Sequence, residues 1–185
     1  MAVRYPFFIR AGYPHRDKMD IQSIGVNEVS MMLLVSSCLA GLEVRYNGTH
    51  SLNQRIQALV REGKARMVCP ELLGGLSTPR EPAEIRGGDG EAVLNGTASV
   101  RVESGRDVTE SFIQGAYETL RIAQEVNATM VVLKQNSPSC GSTHIYNGEF
   151  SNQKIPGQGV TAVLLLRNGI QVISENELHE VLEQL

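Results

Sequence analysis

The chain has 185 residues, 42% of them hydrophobic, with 20 acidic against 17 basic side chains and a formal net charge of −3. That length suits one domain, which buries roughly 70% of its unfolded surface and needs no disulfide to hold its core. The acidic balance argues against an electrostatically driven nucleic-acid binder, and no apolar run approaches the roughly 20 residues of a membrane helix. The 3 cysteines cannot pair off completely and no segment reads as a secretory signal, so reduced thiols in a cytoplasmic protein are expected.

Residues 1–30 show neither a helical nor a strand period. Tyr5-Pro6-Phe7-Phe8-Ile9 is too short for a secretory apolar region, and Asp17 and Asp20 argue against a transit peptide despite Arg4, Arg10, Arg16 and Lys18. The segment is expected to be a disordered extension or, with Met31 and Met32 directly before the first strand, the product of a misassigned start. Residues 31–185 then hold the whole domain.

The first strand is expected over Met32 to Ser36, continuously apolar as a strand covered on both faces should be. After Cys38, Gly41 and Asn47-Gly48 mark a loop. Ser51 or Asn53 caps a helix to about Glu62, with Leu52, Ile56, Leu59 and Val60 inward, and a short strand over Ala65–Val68 follows. The stretch from Glu71 to Asp107 reads as a long irregular insertion rich in Gly and Pro, with a hairpin over Ala92–Val102 turning at Asn95-Gly96. Its Leu72, Leu73, Leu76 and Ile85 mark it as a functional loop of the domain rather than a linker.

Asp107 or Thr109 starts the clearest helix, to about Val126, with a stripe of Phe112, Ile113, Ala116, Leu120 and Ala123. A third strand, Met130 to Lys134, leads into Asn136-Ser137-Pro138-Ser139-Cys140-Gly141-Ser142. A small hairpin at Ile145–Phe150, a helix over Val160–Arg167, a strand over Ile170–Ile173 and a helix from Glu175 complete the chain. Helices alternating with apolar strands imply a single-domain α/β fold, Rossmann-like, with a parallel sheet flanked by helices and ligands at the carboxyl ends of its strands.

All three cysteines, Cys38, Cys69 and Cys140, fall at that edge, each beyond an apolar run and beside Ser, Pro or Gly. Cysteines are often small buried hydrophobes, but flanks of this kind suit a backbone wrapped around a ligand. Three thiolates leave one position open on a tetrahedral metal or on one iron of a cluster, the mark of a catalytic site. Ligand type leaves zinc and iron–sulfur both open, with His50 or His144 as a fourth zinc ligand if not simply solvated. A lone nucleophilic Cys140 is the competing enzyme reading; it leaves Cys38 and Cys69 unexplained. Glu71, two residues beyond Cys69, is placed to act as general base for water, and Ser137 and Ser139 to donate hydrogen bonds unless they serve only the turn. Arg80, Glu81 and Glu84 either line the same cleft or pair on the surface. Gly87-Gly88-Asp89-Gly90 lacks the strand–loop–helix context of a nucleotide site.

The runs Leu34-Val35-Ser36-Ser37-Cys38-Leu39-Ala40-Gly41 and Val68-Cys69-Pro70-Glu71-Leu72-Leu73-Gly74-Gly75-Leu76 resemble a bacterial family that includes the thiouracil desulfidases. Thr78-Pro79-Arg80, Ser137-Pro138-Ser139-Cys140-Gly141 and Pro156-Gly157-Gln158-Gly159-Val160-Thr161-Ala162 match its pattern too, over about Met32 to Leu178. The resemblance implies a 4Fe-4S cluster on Cys38, Cys69 and Cys140 with one open iron. It also implies a small thiocarbonyl substrate such as a thiolated nucleobase, not a nucleic-acid polymer or a membrane. Sulfur would be captured at the open iron while water attacks the carbon, and hydrosulfide released without net redox change. By motif, Glu71 is the acid/base and Ser137 or Ser139 assists. The different-class alternative is a cluster or zinc protein that carries sulfur or metal, or senses it, without turnover. The departures are residues 1–30 and the run Ser142-Thr143-His144.

Overall fold

The computed structural model describes residues 32–182, with side chains described through residue 180, so the expected extension at residues 1–30 lies outside it. In chain order the elements are β1 (Leu33–Ser36), α1 (Gln54–Arg61), β2 (Ala65–Val68), α2 (Pro70–Leu73), β3 (Ala83–Arg86), α3 (Gly90–Leu94) and β4 (Ser99–Val102). They continue with α4 (Thr109–Glu125), β5 (Met130–Leu133), β6 (His144–Tyr146), β7 (Lys154–Pro156), α5 (Val160–Arg167), β8 (Gln171–Ser174) and α6 (Leu178–Leu182).

β1, β2, β5 and β8 form a parallel sheet in the order β2-β1-β5-β8. The two central strands, Leu33-Leu34-Val35-Ser36 and Met130-Val131-Val132-Leu133, are buried throughout, which is why they read as unbroken apolar runs rather than alternating ones. Their side chains divide between two cores. Leu34, Val131 and Leu133 pack with Phe112, Ala116, Leu164 and Leu165 of α4 and α5. Leu33, Val35, Met130 and Val132 pack with Ile56 of α1 and Leu178 of α6. The chain leaves β1 toward β2 on one side and returns to β5 on the other, so the strand order reverses between β1 and β5. At such a reversal the connections diverge and open a crevice beyond the carboxyl ends.

Helix ends follow the local chemistry. Asn53 caps α1, its side chain accepting from the N–H groups of Arg55 and Ile56 at 3.0 and 3.2 Å. Asp107 accepts from Thr109 N–H at 2.9 Å at the start of α4. α5 is buried at every position from Val160 to Leu165, as a helix apolar on all sides must be.

The region expected to be irregular is structured. The Ala92–Val102 hairpin does not form: Asp89 caps α3 by accepting from the Glu91 and Ala92 N–H groups, and Asn95 ends that helix. β4 pairs antiparallel with β3 instead, Ile85 opposite Val100. Helix-forming residues between a good cap and a glycine outweighed the Asn-Gly turn signal. The expected hairpin at Ile145–Phe150 is wider, with β6 pairing to β7. The last helix begins later than Glu175, because Ser174 closes a turn on the Glu177 carboxylate.

Candidate active site

Three adjacent strands deliver the three cysteines. Cys38 follows β1, Cys69 follows β2, and Cys140 stands in the loop after β5; all three line one cavity of about 350 Å³ at the carboxyl edge of the sheet. Glu71, Arg80, Glu84, Lys134, Asn136 and Ser137 share its wall.

The Cys140 loop is held from both sides. Gln135 inserts its side chain into the loop, Oε1 accepting from Ser142 N–H at 3.0 Å and Nε2 donating to Thr143 Oγ1 at 2.8 Å. On the other side, the first N–H groups of α5 have no partner within their own helix. Those of Val160 and Thr161 donate to the carbonyls of Pro138 and Ser139 at 2.9 and 3.0 Å, and Gly159 N–H donates to Gly141 O at 2.8 Å. This accounts for the Pro156-Gly157-Gln158-Gly159 run: it brings a helix start against the cysteine loop. Ser36, ending β1, accepts from Lys134 N–H at 3.0 Å and donates to Cys140 Sγ at 3.8 Å.

The Cys69 side is placed by helix packing. Pro70 occupies the first position of α2, where its missing N–H costs nothing. α2 lies against α4 so closely that a Cβ on Gly115 would stand 1.9 Å from Pro70 O, and one on Gly74 would stand 1.9 Å from Ser111 O. Cys69 and Glu71, on either side of Pro70, are thus set by a contact only two glycines permit.

Glu71 is fixed by both oxygens. Arg80 donates from Nε to Oε2 at 2.8 Å and also pairs with it through a terminal nitrogen at 2.6 Å, with the two side chains only 9% and 16% exposed. Arg80 is itself held by the carbonyls of Ser77 and Val44 at 3.0 and 3.1 Å. Ser137 Oγ accepts from the N–H groups of Ser139 and Cys140 at 3.1 and 3.2 Å, so its proton is directed to Glu71 Oε1, 3.3 Å away. One hydroxyl therefore couples the carboxylate to the Cys140 loop.

Burial pushes all three thiols upward: Cys38 from its ordinary 9.0 to about 11, with the neighbouring Cys69 adding to the rise, and Cys69 and Cys140 in the same direction. Glu71 and the other two thiols add to the rise at Cys140. Free thiols of this kind are protonated near neutrality, which is the opposite of an activated lone nucleophile. A soft cation that replaces the protons relieves both burial and mutual repulsion.

The donor set fits an iron–sulfur cluster. Among the described residues no three Cys, His, Asp or Glu side chains converge on a single-ion centre, which would need sulfurs within about 4 Å of one another given Zn–S bonds of about 2.3 Å. The thiols instead ring a cavity with room for a larger body, and they stand near enough that Cys69 raises Cys38 and both raise Cys140. His50 and His144 are exposed and outside that wall: His50 Nδ1 accepts from Leu52 N–H, and His144 meets the Thr143 hydroxyl.

Of the residues singled out from sequence, Cys38, Cys69, Cys140, Glu71 and Ser137 come together in the cavity. Ser139 does not: it is fully buried behind the loop, its hydroxyl 2.8 Å from Thr161 Oγ1 of α5. The three charged residues divide, with Arg80 and Glu84 on the cavity wall and Glu81 bound to Ser104 and Arg106 nearer the surface. Sequence reasoning missed Gln135, Phe150 and Asn152, whose types carry no signal; the left-handed backbone of Phe150 and Asn152 is visible only in three dimensions. It also missed Glu175, which takes Lys134 Nζ on one oxygen and Gln135 N–H on the other.

Residues 33–177 match the model of the 2-thiouracil desulfurase family. The chain is 63% identical over 151 residues to YbbK of Bacillus subtilis (strain 168), an uncharacterized protein, covering 82% of this chain and 100% of the relative. It is also similar to the solved structure of a 4Fe-4S-dependent thiouracil desulfidase, TudS, at 42% identity and a TM-score of 0.74, covering 84% of this chain and 99% of that one. On its fold, its cavity and these matches, the chain belongs to the 2-thiouracil desulfurase family.

Proposed function

We infer that the protein is a desulfidase that binds a 4Fe-4S cluster through Cys38, Cys69 and Cys140 and removes sulfur from 2-thiouracil or a closely related thiolated base. In the overall reaction water supplies the oxygen of the new carbonyl, sulfur departs as hydrosulfide, and no electrons are exchanged. Three protein thiolates leave one iron open, and the bound cluster supplies at that iron a Lewis acid with affinity for sulfur.

The chain's own residues do the rest. Glu71 takes a proton from the attacking water and returns one to the departing sulfur or the ring nitrogen. Arg80 occupies Oε2, so Oε1 is the oxygen that works, and Ser137 orients it from the Cys140 loop. Ser139 is assigned to holding α5 against that loop rather than to chemistry. The substrate is a free small molecule rather than a nucleic-acid polymer, in keeping with the net charge of −3. Among the described residues no helix is long and apolar enough to cross a membrane; we place the enzyme in the cytoplasm, where reduced thiols persist.

The observation that carries this reading is the Glu71–Ser137 hydrogen bond beside the thiols. A sulfur or metal carrier requires the thiols alone and has no use for a carboxylate gripped on both oxygens. The test is Glu71→Gln in protein purified without oxygen. About four irons and four sulfides per chain should be retained, while hydrosulfide release from 2-thiouracil falls on the order of 10²–10⁴-fold. Turnover unchanged by the substitution, or absent in the loaded wild type, would sink the assignment.

A further inference from the structure

Four described non-glycine residues have a left-handed backbone: Asn127, Asn136, Phe150 and Asn152. Asn127 lies just past the end of α4, where such a conformation is ordinary. The other three all line the cavity. For Phe150 in particular this conformation is unfavourable, and it persists only where the surroundings impose it.

Strand β3 supplies those surroundings. Glu84, a carboxylate only 7% exposed, accepts from the N–H groups of Gly148 and Phe150 at 2.8 and 3.0 Å. Arg86 donates from Nε to Gly148 O at 2.9 Å, and its guanidinium lies 5.9 Å from the centre of the Phe150 ring. Gly148 sits at φ +86° with its α-carbon pressed to β3, where a Cβ would meet Ile85 O at 2.4 Å. Strand β3 thus clamps the turn between β6 and β7 from three directions. None of these contacts touches the thiols or Glu71, and the proton transfers at Glu71 have no use for them. What they accomplish is to aim Phe150 and Asn152, with Tyr146 beside them, into the cavity. Among the described residues neither Asn136 nor Asn152 spends its carboxamide on another group of the chain.

We propose that the turn Tyr146–Asn152 is the substrate-recognition wall, where the Phe150 ring packs on a planar heteroaromatic thioamide, the Asn152 carboxamide bonds its ring edge, and Glu84 holds both in place. A pyrimidine ring offers what these groups need: an apolar face for an aromatic side chain and alternating N–H and carbonyl groups for an amide that both donates and accepts. Glu84 is a positioning residue. This inference rests on the desulfidase reading and names how that site chooses its substrate.

The experiment uses cluster-loaded wild type and the variants Asn152→Ala, Phe150→Leu and Glu84→Gln, with 2-thiouracil as the probe. Binding is followed by calorimetry, turnover by hydrosulfide release, and cluster content by visible absorption. Losing one hydrogen bond or one ring contact should raise KM and Kd about tenfold, with kcat and the cluster spectrum at wild-type values. Glu84→Gln keeps an acceptor oxygen and the fold, and should show the same KM-only change in milder form. Variants that bind as the wild type does, in an enzyme that turns 2-thiouracil over, overturn the recognition wall and leave the desulfidase reading standing. Variants that lose kcat or cluster instead overturn it too, since the turn would then support the cluster. Loaded wild type that neither binds nor consumes 2-thiouracil overturns both readings.

Discussion

Gly115→Ala tests whether the contact between α2 and α4 places Cys69 and Glu71. In most helix interiors this exchange stabilises by roughly 1 kcal/mol, because alanine has the better propensity. Here the new Cβ would stand 1.9 Å from Pro70 O, 2.8 Å from the carbonyl carbon and 3.1 Å from Gly74 N, all backbone atoms that no rotamer change can move. Relief requires α2 to shift by on the order of 1 Å, and overpacking of this kind costs about 1–3 kcal/mol, occasionally more. The balance is a loss of up to about 2 kcal/mol, or as much as roughly 8 °C in Tm for a chain of this length. The assay is thermal unfolding of the apoprotein followed by iron and sulfide analysis of the reconstituted enzyme. Gln114→Ala, on the exposed side of the same helix, is the control that gains propensity without the collision. Gly115→Ala should melt below it and hold less cluster, because Pro70 joins a thiol to the carboxylate. If both variants melt together and load equally, the close packing of α2 on α4 does not set the site.

The two serines should separate. Ser137→Ala is expected to lower kcat on the order of ten- to hundredfold, measured by hydrosulfide release, with a stability loss of about 1 kcal/mol from the loop N–H groups it leaves without an acceptor. Ser139→Ala leaves the Thr161 hydroxyl buried without its partner and should cost about 1–3 kcal/mol in urea unfolding with kcat unchanged. The apoprotein should also lose stability in alkali. Cys38 is raised from 9.0 to about 11 in the folded state, so between those values the unfolded chain has released a proton that the folded chain retains. Its contribution is complete below pH 9 and falls as pH rises toward about 11, as Cys69 and Cys140 contribute in the same direction. Denaturation midpoints of apoprotein across this window check it; a midpoint that rises with pH refutes the thiols' burial. Cluster assembly, which must displace the same protons, should become easier over that range.

Much of this protein is determined locally. Unbroken apolar runs identify β1 and β5 because a strand covered on both faces has no polar side to show, and the Asn53 cap and the Phe112–Ala123 stripe mark α1 and α4 through interactions within a few residues. The alternation of these elements dictates a parallel sheet, and a cysteine just past each strand end must then lie at its carboxyl edge. That is why Cys38, Cys69 and Cys140 were legible as one site without a local motif. Only the tertiary structure decided which groups surround them. Ser137 and Ser139 are the same residue type two positions apart, and their opposite directions depend on Glu71 and Thr161, which lie 66 and 22 residues away. The pairing of β4 with β3, the meeting of Gly74 with Gly115, and the clamp of Glu84 on Phe150 are likewise contacts between distant segments. Propensity and periodicity act over one or two turns of chain, whereas these contacts exist only once the sheet and its helices have closed around a common core.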